Sequence, residues 1–226
     1  RTDRHRLSED ELIAYLKGYD AAVIGIENLS PRVFEALPDL KVLSLCSAGV
    51  DHIDPALLNK HGVRMWWAAG VNKHSVAEMA IAMIMGIGRG FPRLDMKVRR
   101  GEWRREFLPR VMGTTLGVVG LGRIGRALVS RAVGVGMKVI AFEPFPDPEF
   151  CRKWNIELTD FENVLRRADY LSLHSPLNAE TQHMLNARTF AQMKPGSVLI
   201  NTSRGGLVDE NALVAALKSG HLRAAG

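Results

Sequence analysis

The sequence predicts an α/β protein with two tandem units built on parallel sheets, and three observations predict it. Short apolar runs alternate with amphipathic helical segments up to residue 88, and the same alternation resumes at residue 113. Between them lies a charged stretch broken by Gly101 and Pro109. Within the second unit, residues 116–143 read strand, glycine turn, helix, strand, acid. Strands joined through helices need crossover connections and therefore run parallel, and the alternation places helices on both faces of each sheet. A chain of 226 residues suits one large or two small domains.

Each element of the first unit carries its own signal. Ser8 and Glu11 form a capping box that opens a helix, with Leu12 and Leu16 as its apolar stripe and Gly18 as its stop. A strand follows over residues 22–26. Ser30 and Pro31 start a second helix, which gives way to a buried strand over 42–46. Asp54 and Pro55 open a third helix, Gly62 closes it, and 63–67 reads as a third strand. Ser75 with Glu78 makes another capping box. The nearly all-apolar helix behind it is expected to be buried on most sides, with Met79, Met83 and Met85 as core filler. Residues 1–88 thus form a first domain, 89–112 a connector and 113–226 a second domain. A doubly wound sheet begins with a strand, whereas this chain begins with a helix and has no initiating methionine, so its start is expected to be incomplete.

The second unit holds the chemistry. Leu116, Val118 and Val119 form a short strand, Gly120, Gly122 and Gly125 a turn, and Ile124, Leu128, Val129 and Ala132 an apolar helical stripe. A second strand over 139–142 ends on Glu143, 18 residues beyond Gly125 and close to the roughly 20 expected of a ribose-binding acid. This is the layout of a dinucleotide-binding unit of Rossmann type. The first glycine allows the tight turn, the second lets backbone approach a pyrophosphate, and the third lets helix and strand pack closely. Arg123 and Ile124 open the helix, whose partly positive N-terminus faces the phosphates. A carboxylate at Glu143 repels the 2′-phosphate of NADP, so the expected cofactor is NAD. Helices follow over 148–154 and 161–167, strands over 170–174 and 197–201, and a helix capped by Asp209.

Composition excludes several classes. No stretch approaches the apolar length of a membrane span, and the start is not a signal peptide. Two cysteines, Cys46 and Cys151, make no disulfide framework and lie in no metal-ligand spacing, which suits a cytoplasmic protein without a metal. The formal charge of +6 sits largely between Arg89 and Arg110, but Glu102 and Glu106 interrupt the run, so it reads as a solvated helix face and not a nucleic-acid grip.

Three segments, G-L-G-R-I-G, R-R-A-D-Y-L-S-L-H-S-P-L-N-A-E-T-Q-H-M-L-N and M-K-P-G-S-V-L-I-N-T-S-R-G-G-L-V-D-E-N-A-L, together with S-A-G-V-D-H-I-D, resemble the D-isomer-specific 2-hydroxyacid dehydrogenases. That group includes phosphoglycerate, glyoxylate/hydroxypyruvate and D-lactate dehydrogenases. The resemblance implies a doubly wound NAD-binding domain and a smaller, flavodoxin-like substrate domain, both truncated in this chain. It implies hydride transfer between nicotinamide C4 and C2 of a D-2-hydroxy or 2-oxo acid, in a homodimer. It assigns cofactor contacts to Ser175, Pro176, Thr181, Thr202, Ser203 and Val76. Ala48, Gly49 and Val50 would hold the substrate carboxylate, and Arg204 is the catalytic residue that reaches the carboxylate and the neighbouring carbonyl. The family most often has Asp where this chain has Glu143. The general base, a histidine tuned by a glutamate, is expected beyond residue 226. His174 stands near the cofactor as a loop residue, while His5, His52, His61, His74, His183 and His221 read as loop, surface or chain-end residues.

Two alternatives stand beside this reading. A non-catalytic NAD-sensing protein, like the corepressors that share the fold, has the same motifs, and fold alone does not separate the two. Adenosylhomocysteine-hydrolase-like chemistry also uses bound NAD but fits a longer first domain.

Overall fold

The computed structural model describes residues 7–226, which form two compact units dividing between Asn72 and Lys73. In the smaller unit, β1 (Ala21–Ile24), β2 (Val42–Leu45) and β3 (Arg64–Trp67) make a three-stranded parallel sheet in that order. Helix α1 (Glu9–Leu16) precedes β1, and α2 (Pro31–Ala36) and α3 (Pro55–His61) connect the strands. The Ser8–Glu11 capping box is present: Ser8 Oγ accepts from the Glu11 N–H at 3.3 Å and the Glu11 carboxylate accepts from the Ser8 N–H at 2.9 Å.

This sheet departs from the expectation of helices on both faces. Ile24, Leu43 and Leu45 are buried in one cluster with Leu12, Leu16, Val33, Phe34, Leu57 and Leu58, so all three helices cover the same face. On the other face Val23 and Trp66 are 76% and 67% exposed. Strand alternation sends every second residue away from the helices, and among the described residues nothing covers them.

The larger unit follows the doubly wound plan. It opens with α4 (Lys73–Gly88) and α5 (Phe91–Arg99), then runs β4 (Thr115–Val119), α6 (Arg123–Gly134), β5 (Lys138–Phe142), α7 (Pro148–Lys153), β6 (Glu157–Leu158), α8 (Phe161–Arg167) and β7 (Tyr170–Leu173). It closes with α9 (Ala187–Gln192), β8 (Ser197–Asn201), α10 (Glu210–Lys218) and β9 (Leu222–Ala225). The six strands are all parallel, in the order β6-β5-β4-β7-β8-β9. The chain therefore winds outward from β4 in one direction, returns, and winds outward from β7 in the other. A reversal of this kind, beyond the carboxyl ends of β4 and β7, is where open parallel sheets bind their ligands. Two cores sandwich the sheet. Leu116, Val118, Ala141 and Ile200 pack with Ala80 and Ile84 of α4 and Leu128 and Ala132 of α6. Val119, Ile140, Leu173 and Leu199 pack with Val164 and Leu165 of α8, Phe190 of α9 and Ala216 of α10.

Four details differ from the sequence reading. The turn at 68–71 leads straight into α4 at Lys73, so Ser75 lies inside the first turn, and Glu78 pairs with Arg131 of α6 at 3.1 Å and forms no capping box. The buried residues of α4 are a single stripe, Ala77, Ala80, Ile84 and Gly88, while Met79 is 55% exposed; Met83 and Met85 are partly buried against the core. By these contacts α4 belongs to the larger unit. Residues 91–99 of the connector are the helix α5, and Leu222–Ala225, past the last element read from the sequence, form a further strand, β9, paired with β8.

Candidate functional site

The loops after β4, β5, β7 and β8 lie at the carboxyl edge of the larger unit's sheet, and the expected cofactor residues of that unit, Val76 apart, sit there. Gly120 follows β4 with φ +99°, and a Cβ on it would stand 2.8 Å from the His174 backbone carbon. A Cβ on Gly125 would stand 2.1 Å from the Gly120 carbonyl oxygen, so both glycines are required by the protein's own packing. Gly122, the N-cap of α6, is different. Its φ of −68° is open to any residue, and a Cβ there would meet nothing within 4 Å. The protein does not demand a glycine at this position, whereas a phosphate lying against it would.

Glu143 leaves the end of β5 and turns back to the glycine turn. Its Oε2 accepts from the Leu121 N–H at 2.7 Å and its Oε1 from the Phe145 N–H at 3.0 Å. The acid is thus fixed beside the start of α6, where a ribose adjoining the pyrophosphate would lie.

The loops after β7 and β8 form one module. Ser175 Oγ donates to the Val119 carbonyl at 3.3 Å, seating the loop against β4. Thr181 Oγ1 donates to the Pro176 carbonyl at 2.7 Å and accepts from the Asn178 N–H at 2.9 Å, closing residues 176–181 on themselves. The N–H groups of His183 and Leu185 donate to the Gly206 and Leu207 carbonyls at 2.8 and 3.0 Å, which ties this loop to the one after β8. There Asn201, which the sequence reading passed over, accepts from the Ser203 N–H at 3.0 Å and donates to the Arg204 carbonyl at 2.9 Å. An Asn ending an apolar strand before Thr-Ser was the available signal. The Arg204 guanidinium donates to the Ser203 carbonyl at 3.1 Å. Thr202 Oγ1 and His174 Nδ1 are buried without a hydrogen-bond partner, both at this edge.

The remaining expected residues lie elsewhere. Val76 is half-buried in the first turn of α4. Ala48, Gly49 and Val50 are half-buried after β2 in the smaller unit, where Ser47 Oγ donates to the Gly49 carbonyl at 2.9 Å. His5 lies outside the described residues. Among the described residues no group of His, Cys, Asp and Glu could hold a metal, and no helix is long and apolar enough to cross a membrane.

His174 follows β7 at this edge, and burial pushes its imidazole down to about 4. Its Nε2 lies 2.9 Å from Ser172 Oγ. A ring that stays neutral to that pH is a poor proton acceptor, in keeping with its reading as a loop residue. An unfolded chain protonates the same ring near 6.5. Between those values only the unfolded state takes the proton, so stability present above pH 6.5 is lost as pH falls towards 4. Between pH 7 and pH 5 the wild type is expected to lose about 2 kcal/mol more unfolding free energy than His174→Gln in urea titrations. Equal losses would mean the ring is solvated and charged.

The comparisons with known proteins agree on one family. The model for the NAD binding domain of D-isomer specific 2-hydroxyacid dehydrogenases matches residues 81–226. Glyoxylate reductase of Thermococcus litoralis is 38% identical over 225 residues, covering 95% of this chain and 68% of the relative. D-3-phosphoglycerate dehydrogenase of Mycobacterium bovis is 36% identical over 220 residues, covering 96% of this chain and 42% of the relative. Among solved structures, D-lactate dehydrogenase of Aquifex aeolicus, complexed with NAD and lactic acid, superposes with a TM-score of 0.88 at 30% identity, over 100% of this chain and 67% of that one.

Proposed function

Because the chain belongs to the D-isomer specific 2-hydroxyacid dehydrogenases, NAD-dependent oxidoreductases acting on CH–OH donors, we propose that the full-length protein moves a hydride between nicotinamide C4 and C2 of a D-2-hydroxy acid or its 2-oxo form. The observation that carries this reading is the gathering of the glycine turn, Glu143 and the paired loops after β7 and β8 at one edge of a doubly wound sheet. NAD supplies the hydride-transfer chemistry when bound.

The chain's own residues divide the remaining work. The N–H groups of Gly122, Arg123 and Ile124 at the start of α6 hold the pyrophosphate, and Glu143 accepts the ribose hydroxyls. Ser175, Pro176, Thr181, Thr202, Ser203 and Val76 line the nicotinamide side. Arg204 places its fork on the substrate carboxylate and C2 oxygen, and in the smaller, flavodoxin-like domain the N–H groups of Ala48, Gly49 and Val50 carry the family's carboxylate-binding role. The proton acceptor is a histidine in the length that the relatives have and this chain does not span. The substrate is a small acid of the glyoxylate, hydroxypyruvate or phosphoglycerate class, in keeping with the names of the relatives. A cytoplasmic homodimer completes the reading, and Trp103 and Phe107, 90% and 98% exposed, are apolar surface a second copy would cover.

The test is NADH oxidation by the full-length protein on glyoxylate, hydroxypyruvate, 3-phosphohydroxypyruvate and pyruvate. Turnover of one of these with NADH well ahead of NADPH is expected, and no turnover of any would sink the proposal. In Glu143→Ala the preference for NADH should narrow about tenfold. Both cofactors lose the grip on Leu121 and Phe145 alike, but only NADPH is relieved of charge repulsion. An unchanged ratio removes Glu143 from the ribose site.

A further inference from the structure

The glycine turn is held from outside by groups that neither the glycine motif nor the roles above account for. Leu121 is buried, yet its backbone is bound at both ends by side chains of opposite charge. Its N–H donates to Glu143, and its carbonyl accepts from Arg126 Nε at 2.9 Å. Arg126 stands one turn into α6. Its Nη1 pairs with Asp147 Oδ2 at 2.8 Å, and its guanidinium lies 5.1 Å from the centre of the Phe150 ring. Asp147 Oδ1 accepts from the N–H groups of Glu149 and Phe150, capping α7. The Phe150 N–H, helped by the Arg126 guanidinium, holds the Asp147 carboxyl below its ordinary range.

We propose that Arg126, anchored by Asp147, is a positioning residue for the cofactor pyrophosphate: by fixing the Leu121 carbonyl it aims the Gly122 N–H. The inference rests on the nucleotide reading of the turn. The Leu121 carbonyl and the Gly122 N–H belong to one planar trans peptide and point in opposite directions. A donor that pins the oxygen on the protein side therefore turns the N–H outward. Gly122 has no Cβ, and a Cβ there would meet nothing within 4 Å, so without this anchor its peptide has wide freedom in the turn. Glu143 fixes the preceding peptide in the same way. Because Arg126 is held by the loop after β5, the phosphate turn and the ribose-binding loop are set relative to each other before any nucleotide arrives, and preorganisation of this kind strengthens binding.

Arg126→Met keeps the aliphatic stem over Phe150 and removes the donors. In the full-length protein its Kd for NADH and for ADP is expected to rise about tenfold. The Kd for adenosine, which has no pyrophosphate, and kcat at saturating NADH should stay within about twofold. Asp147→Asn should weaken ADP in the same direction, adding little to Arg126→Met in the double variant. Arg126→Lys, which can still donate to the Leu121 carbonyl, should regain part of the loss. An unchanged ADP affinity, or parallel loss of ADP and adenosine with a falling Tm, would show that Arg126 only ties α6 to α7. A wild-type protein that binds neither NADH nor ADP would remove the nucleotide reading, and this proposal with it.

Discussion

Arg204→Ala in the full-length protein lowers kcat/KM for the 2-oxo acid by about 100- to 1,000-fold, roughly 3–4 kcal/mol, and leaves the Kd for NADH within about twofold. The separation follows from how the loop after β8 is held. Asn201 grips the Ser203 N–H and the Arg204 carbonyl, so the backbone proposed to face the nicotinamide keeps its shape when the guanidinium is gone. What disappears is a fork of donors that suits a carboxylate and the oxygen next to it, a charge-assisted contact that alanine cannot replace. Stopped-flow NADH binding alongside steady-state turnover reads the two quantities apart. Equal losses of both would count against a substrate role.

Gly122→Ala gives the second large effect. The variant keeps the wild-type Tm within about 2 °C and loses at least about tenfold in NADH affinity, measured by calorimetry. A methyl group at Gly122 meets no atom of the protein within 4 Å and needs no unusual backbone angle, so folding is indifferent to it. In the proposed site the same methyl would stand where the pyrophosphate approaches the first turn of α6. At Gly125 the outcome reverses, because a Cβ 2.1 Å from the Gly120 carbonyl oxygen strikes the protein itself. Tight NADH binding by Gly122→Ala would place the phosphates elsewhere.

Features written in neighbouring residues could be read without coordinates. The Ser8–Glu11 capping box, the strand-turn-helix around Gly120 and the Asp209 cap on α10 depend on contacts a few residues apart, and each forms as its sequence predicts. Ser75 and Glu78 have the spacing of a second box, but Arg131, more than fifty positions away, takes the carboxylate. A local signal loses when a distant partner makes the better contact.

The sequence by itself determined the parallel α/β plan, the three glycines, the acid closing β5 and the loops that follow β7 and β8, because glycine sterics, caps and hydrophobic period are properties of short segments. Only the tertiary structure decided that the helices of the smaller unit cover one face of its sheet and leave Val23 and Trp66 in solvent, and that α4 joins the larger unit along the narrow stripe of Ala77, Ala80, Ile84 and Gly88. It also decided that Leu121 is gripped from both sides by Glu143 and Arg126, and that His183 and Gly206 lock two loops together. These are meetings of residues 5 to 23 or more positions apart, whose partners are chosen by how strands and helices pack and by which groups burial forces to find each other.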